Sequence, residues 1–142
     1  MTDPAADGFS PALPDLVIEP IVRLALIEDF GRAGDVTTSA VIPPDERCEA
    51  VFVAREPGVA AGYDAARLAL RLVDGEARWT THVAEGARFA AGAALATVAG
   101  PARSILMAER VMLNFMGPLA GVASTTRRFV DAIEGLKARI VC

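Results

Sequence analysis

The sequence contains few of the side chains that most often act as bases or nucleophiles. Its 142 residues include one histidine, His82, two cysteines, Cys48 and Cys142, and a single lysine, Lys137. The cysteines are far apart in sequence and have no other metal ligands near them, so we expect free, buried thiols rather than a disulfide or a metal site. His82 stands alone in a predicted strand and is expected to be structural. We therefore predict no catalytic residue and no metal ligand within this chain.

Motifs for binding phosphates and dinucleotides are missing as well. The sequence has no Gly-x-x-x-x-Gly-Lys loop, no Gly-x-Gly-x-x-Gly after a predicted strand and no Gly-x-Ser-x-Gly turn. Its formal net charge is −4, whereas binding to a nucleic acid depends on clustered cations. We expect no nucleic-acid partner.

Apolar residues are abundant instead. Hydrophobic residues make up 53% of the chain, and the mean hydropathy is +0.38. Such values are high for a small soluble chain, and they predict that part of its surface is covered by another surface. No uninterrupted apolar run approaches the roughly 20 residues that span a bilayer, and the N-terminus lacks the layout of a signal peptide. We expect a cytoplasmic protein without membrane contact.

The first half of the chain changes from helical to strand patterns. Residues 1–14, rich in Ala, Pro, Asp and Gly, are predicted to be disordered. Pro20 should begin a helix that ends at Gly31, followed by an ordered loop over 31–38 in which Asp35 and threonine side chains bond to backbone. The predicted inner face of that helix consists of Ile21, Leu24, Ala25 and Phe30. Strands are predicted at 49–55 and 59–62.

The second half combines helices with further strands. A helix capped by Asp64 should run to Val73, and strands are predicted at 78–83 and 94–98. A long apolar helix should then run to Met116, break at 117–118, and be followed by a helix over 119–133 and a strand over 138–142. The predicted fold class is α+β.

One arginine stands out inside the long apolar helix. Arg110 follows Glu109 in the run Ala-Glu-Arg-Val-Met-Leu-Asn-Phe-Met, residues 108–116. A helix that is apolar nearly all round is usually buried, and a buried guanidinium requires an anion or another acceptor. Arg110 is therefore either half of a structural ion pair or a binding residue for an anionic ligand. Arg103 and Asn114 should share its face of the helix.

Several segments together resemble the N-terminal region of nicotinate-nucleotide pyrophosphorylase (carboxylating), also called quinolinate phosphoribosyltransferase. The resemblance runs in order from about residue 20 to the end of the chain. The segments are ALIEDFG (25–31), GDVTT (34–38), AREPGVAAG (54–62), EGA (85–87), AERVMLN (108–114) and GVASTT (121–126).

The resemblance implies an enzyme of NAD biosynthesis and a role for Arg110. Such enzymes use Mg²⁺ as a cofactor and condense quinolinate with phosphoribosyl pyrophosphate. They release carbon dioxide, pyrophosphate and nicotinate mononucleotide. Their N-terminal α/β-hammerhead or open-sandwich domain with flanking helices packs on a C-terminal α/β barrel, and the active site forms in a homodimer or larger homo-oligomer. The residue that matches the family's substrate-binding arginine is Arg110, which would bind a quinolinate carboxylate.

The resemblance also predicts a domain division. We expect the domain proper at 15–118, and a helix with a first strand at 119–142 that leads into a barrel missing from this chain. We therefore expect the chain alone to be inactive. Two alternatives are a non-catalytic dimerisation or interaction domain and a molybdenum-utilisation paralogue of the same fold. A biotinyl or lipoyl carrier is disfavoured, because Lys137 lies outside the hairpin that would have to present it.

Overall fold

The computed structural model describes residues 13–31 and 34–141. The described chain forms four helices and five strands in a mixed order. Their bounds are α1 Asp15–Phe30, α2 Val36–Val41, β1 Arg47–Val53, β2 Gly58–Val59, α3 Tyr63–Val73, β3 Arg78–Thr81, β4 Arg88–Phe89, β5 Ala94–Pro101 and α4 Ala102–Ala132. The α+β fold class predicted from the sequence is confirmed.

The strands form two antiparallel sheets. The larger sheet has the order β1-β5-β3, so β5 is its central strand. In β5, Ala96 and Val98 point into the core, as the alternation of side chains along a strand requires. Phe52 on β1 and Trp79 on β3 cover the same inner face, with ring centroids 5.3 Å apart. The smaller sheet pairs β2 with β4. Strand β4 has only two residues, too few to show the alternation of apolar and polar residues by which a strand is predicted.

The core lies where α3 and α4 pack against each other, the larger sheet and α1. Its most buried large side chains are Val22, Tyr63, Leu70, Val98, Val111 and Met112. The long helix predicted from residues 100–116 therefore contributes one face to the core, as its apolar sequence indicates.

Helix α1 is longer and rotated relative to the prediction. It begins at Asp15, and Pro20 lies inside it. Val22 and Leu26 are buried, whereas the predicted inner residues Ile21 and Leu24 are 59% and 65% exposed. The prediction was wrong for Ile21 and Leu24, but Ala25 and Phe30 are half-buried and pack against the core as predicted. Apolar residues surround much of this helix, so their spacing alone does not decide which of them face the core.

The predicted loop at 31–38 is partly a helix. Arg32 and Ala33 lie outside the described residues, and α2 begins at Val36. The side chain of Asp35 caps α2 by accepting hydrogen bonds from the backbone N–H of Thr38, at 2.8 Å, and from the Thr38 hydroxyl. The predicted bond from the Asp35 side chain to backbone is confirmed, but it starts a helix instead of closing a loop, and the Thr38 hydroxyl bonds to Asp35 and not to backbone.

Two predictions for the second half also differ from the structure. The predicted break at Gly117 and Pro118 is wrong, since α4 continues through both to Ala132. The carbonyl that loses its N–H partner at Pro118 is that of Asn114, which is exposed, so water can bond to it. The predicted strand at the end of the chain is absent over 138–141, where no neighbouring strand pairs with it. Cys142 lies outside the described residues.

The predicted domain division stays a proposal. A boundary at 118 would fall inside α4, which makes 15–118 and 119–142 continuous through one helix. Of the predicted disordered tail, 1–12 lie outside the described residues. Leu13 donates its backbone N–H to Asp64 Oδ2 at 2.8 Å.

Helix α4 is also long and apolar enough to cross a membrane by length and composition alone. It reaches this length because it is one continuous helix, which the predicted break had divided into two. In this fold its inner face belongs to the core, and it carries Glu109, Arg110, Arg127 and Arg128 along its length. The core helix of a soluble domain commonly has these properties.

The N-terminus of α3 is capped from a distant turn. Glu85 accepts backbone hydrogen bonds from Gly62 at 2.6 Å and Tyr63 at 3.1 Å. Asp64, the predicted cap, is the second residue of α3 and forms an ion pair with Arg67. The carboxylate of Glu85 replaces it because a negative charge is favourable at a helix N-terminus, whichever element supplies it.

Tyr63 predicts a measurable dependence of stability on pH. The residue is 2% exposed, and within the described chain its hydroxyl has no hydrogen-bond partner. Burial, and then the charge of Glu85, raise the pKa of Tyr63 above its ordinary value of 10.0. Because the unfolded chain loses this proton first, wild-type stability should fall as the pH rises above about 10. Tyr63→Phe should remove that alkaline loss.

The same substitution should stabilise the protein near neutral pH. It deletes an unpaired buried hydroxyl, which should raise the free energy of unfolding by about 1 kcal/mol. Urea unfolding at pH 7 and at several values above pH 9, for wild type and Tyr63→Phe, measures both effects. A lower stability of Tyr63→Phe at pH 7 would show that the hydroxyl has a partner in solution.

Candidate functional site

Arg110 lies on the outer face of α4. Its side chain is 76% exposed, and Glu109 is exposed beside it. The prediction that this arginine is buried was wrong. The buried face of α4 carries Ala108, Val111 and Met112 instead, while Leu113 of the same run and the preceding Leu106 are exposed.

Arg110 forms an ion pair with the end of α1. The closest contact joins Arg110 Nε to Asp29 Oδ1 at 3.3 Å. Asp29 is the next-to-last residue of α1, and its side chain is 20% exposed. The pair corresponds to the structural interpretation of Arg110, but the high exposure of the guanidinium leaves room for a ligand as well.

A surface pocket lies beside this pair, between α4, the end of α1 and α2. Its volume is ≈ 670 Å³, within the usual range for small-molecule sites. The residues that line it are Asp29, Phe30, Gly34, Asp35, Val36, Thr37, Thr38, Leu106, Glu109, Arg110, Leu113 and Asn114. Arg110 and Asn114 therefore share one site, as their spacing predicts.

Arg103 serves a different purpose from the one its spacing predicts. Its Nε donates to the carbonyl of Ile42 at 2.7 Å, and its Nη2 donates to the carbonyl of Ser39 at 3.0 Å. These carbonyls belong to the C-terminal end of α2, where a cation is favourable. Arg103 thus fixes α2 beside the pocket and does not line it.

The charges around the pocket are unequal. Asp29, Asp35 and Glu109 provide three carboxylates, and Arg110 is the single cation among the lining residues. Hydrogen bonds from the hydroxyl and the backbone N–H of Thr38 hold the pKa of Asp35 below its ordinary value, so this carboxylate is charged at neutral pH. A doubly charged anion would therefore need further cations from outside this pocket.

The remaining candidate residues stay outside the site. His82 follows β3 and is exposed, and its Nε2 lies 2.7 Å from the hydroxyl of Thr97 on β5. Cys48 is a free thiol as predicted, but it is exposed instead of buried, because its end of the larger sheet is uncovered. Cys142 lies outside the described residues.

Comparison with known proteins identifies the family. The model of the family described as "Quinolinate phosphoribosyl transferase, N-terminal domain" matches residues 35–120, which include most of the pocket and Arg110. The chain belongs to the quinolinate phosphoribosyltransferase family. The resemblance noted in the sequence, and the N-terminal position that it implied, are confirmed.

Individual relatives agree with this assignment. The chain is 42% identical over 121 residues to nicotinate-nucleotide pyrophosphorylase (carboxylating) of Mycobacterium leprae, covering 84% of this chain and 43% of that protein. It is 39% identical over 122 residues to the chloroplastic protein of the same name in Oryza sativa, covering 86% of this chain and 33% of that protein. The chain therefore spans less than half the length of these relatives.

A solved structure shows the same fold. The crystal structure of NadC from Streptococcus pyogenes matches with a TM-score of 0.83 and 31% identity, covering 87% of this chain and 44% of that chain. The described part of this chain contains no closed barrel, in agreement with a match to less than half of that protein.

Proposed function

We propose that this chain is the N-terminal domain of an enzyme that converts quinolinate and phosphoribosyl pyrophosphate to nicotinate mononucleotide, pyrophosphate and carbon dioxide. The observation that carries the proposal is Arg110, an exposed guanidinium at a pocket inside the region matched to the family. In this role Arg110 binds a carboxylate of quinolinate, and it orients and neutralises the substrate without transferring a proton.

The charge balance of the pocket supports a divided active site. Quinolinate carries two carboxylates, and three carboxylates already surround Arg110. Favourable binding therefore requires cations from a second surface, which we propose is the barrel of a partner subunit in a homodimer or larger homo-oligomer. The resemblance implies this arrangement, and the composition of the pocket agrees with it.

A second, apolar groove supports the same assembly. It runs between β1 and α4, and its volume is ≈ 1200 Å³. Val51, Val53 and Leu113 line it and are each about half exposed. Exposed apolar side chains grouped in one groove mark a candidate contact surface for another protein. This exposed surface also explains why the hydropathy of the chain is high for its length.

The proposed reaction includes Mg²⁺, which is bound by the substrate phosphoribosyl pyrophosphate. Among the described residues, no group of three or more His, Cys, Asp or Glu side chains is placed to hold a metal ion. We therefore assign no step in this domain to a metal.

We propose a cytoplasmic location, which fractionation of source cells would test. The name of the rice relative places that protein in the chloroplast.

A chimera tests the proposed function. This chain would replace the matching N-terminal part of the Mycobacterium leprae relative, and nicotinate mononucleotide would be measured with quinolinate, phosphoribosyl pyrophosphate and Mg²⁺. We expect quinolinate-dependent product from the chimera. A folded, oligomeric chimera without product would contradict the proposal and favour an interaction domain or a paralogue with another substrate.

The isolated chain should behave differently in the same assay. We expect no product above a control without protein, because three carboxylates and one cation form only part of a site for a dianion. Turnover by the 142-residue chain alone would show that it contains a complete active site.

A further inference from the structure

The end of α1 carries charges that a helix end disfavours. The C-terminus of a helix has partial negative charge and favours cations, yet the last turn of α1 holds Glu28 and Asp29 and no basic residue. Such a departure from the usual pattern calls for a compensating group. The guanidinium of Arg110 supplies it from another element, at 3.3 Å from Asp29.

The two partners differ in their freedom to move. The side chain of Asp29 is 20% exposed, and its neighbour Phe30 packs against the core, so the carboxylate is held in place. The side chain of Arg110 is 76% exposed and has several rotatable bonds. Asp29 is therefore the fixed member of the pair, and Arg110 is the member whose direction depends on the contact.

The geometry also leaves much of the guanidinium accessible. The closest contact to Asp29 uses Arg110 Nε, and Asp29 is the only acidic residue in ion-pair contact with Arg110 within the described chain. The two terminal amino groups, Nη1 and Nη2, form the outer edge of the fork that pairs with a planar carboxylate.

We propose that Asp29 is a positioning residue, which holds Arg110 through Nε so that its terminal amino groups face a substrate carboxylate. This inference rests on the proposed function, since it gives Arg110 a substrate anion to bind. It assigns to Asp29 a role in substrate affinity that goes beyond the stability of the fold.

Two opposing effects determine the sign of the expected change. Removing the charge of Asp29 reduces repulsion toward an anionic substrate, but this site is open to solvent and that repulsion is screened. Removing it also frees a long side chain, which must then be ordered when substrate binds. We expect the second effect to exceed the first, so Asp29→Asn should weaken binding of quinolinate.

The first arm of the test uses NMR on the 142-residue chain. The Arg110 Nε–Hε signal, assigned by its loss in Arg110→Lys, reports the order of the guanidinium through its heteronuclear NOE. We expect a lower NOE in Asp29→Asn, an unchanged value in Glu28→Gln, and partial recovery in Asp29→Glu. Backbone spectra of each variant show whether the fold is kept. An unchanged NOE in a folded Asp29→Asn would overturn the inference.

The second arm uses the chimera described above. Asp29→Asn should raise KM for quinolinate by about threefold to fivefold, the scale of a surface ion pair, while kcat and KM for phosphoribosyl pyrophosphate stay unchanged. An equal loss of kcat, or an unchanged KM, would refute the positioning role. If the wild-type chimera makes no product, the proposed function fails, and the NMR arm alone decides whether Asp29 fixes Arg110.

Discussion

Replacing Arg110 with alanine in the chimera should raise KM for quinolinate by about 10-fold to 100-fold, with a much smaller change in KM for phosphoribosyl pyrophosphate. Hydrogen bonds to a charged group contribute about 1.5–3 kcal/mol, which corresponds to this range of affinity. The guanidinium is exposed at the pocket and accessible on its outer edge, so its loss removes a contact with the substrate. Steady-state kinetics with each substrate varied in turn measures the effect.

Two control variants separate the binding role from general effects of charge. Arg110→Lys keeps the charge but loses the planar fork, so it should recover only part of the affinity. Arg23→Ala removes an exposed arginine whose partner is Glu19 on the same helix; neither residue lines the pocket, so both KM values should stay unchanged. An unchanged KM for quinolinate in Arg110→Ala would refute the substrate role and leave the pair with Asp29 as purely structural.

The regular elements of the sheet and of α3 were predictable from local patterns. Strand β3 was predicted at 78–83 and is Arg78–Thr81, and α3 was predicted at 64–73 and is Tyr63–Val73. Such elements are predictable because their buried residues recur with the period of the element itself, every second residue in a strand and every third or fourth residue in a helix. The cap at α3 was not predictable, since Glu85 is more than 20 residues from the N-terminus that it caps.

The environment of Arg110 shows where sequence patterns stop being informative. Its apolar neighbours predicted burial, but Leu106 and Leu113 are exposed in this chain. An apolar run does not distinguish a face buried by its own domain from one left for another surface. Asp29 was missed as well, although an acidic residue in the last turn of a helix was a usable signal. The motif carrying Arg110 was recognised because of its resemblance, without any knowledge of its surroundings.

Replacing Gly62 with alanine should lower the free energy of unfolding by about 2–5 kcal/mol. Gly62 has a φ of +92°, which side chains rarely adopt. A Cβ there would also lie 3.1 Å from both the Cα of Met116 and the carbonyl oxygen of Phe115 on α4. These neighbours are backbone atoms of a helix that cannot shift alone, so α3 and α4 would have to move apart. Urea unfolding monitored by circular dichroism measures the loss.

Two other glycines divide this loss into its causes. Gly86 has a φ of +79° and nothing within 4 Å of its expected Cβ, so Gly86→Ala measures the backbone strain alone. Gly100 has no positive φ, but its Cβ would lie 2.9 Å from the Cα of Ala77, so Gly100→Ala measures the close contact alone. We expect the loss in Gly62→Ala to exceed that in Gly86→Ala, because only Gly62 combines both costs. Equal losses in these two variants would mean that α4 moves away from α3 easily, and that the core between these helices is looser than the structure shows.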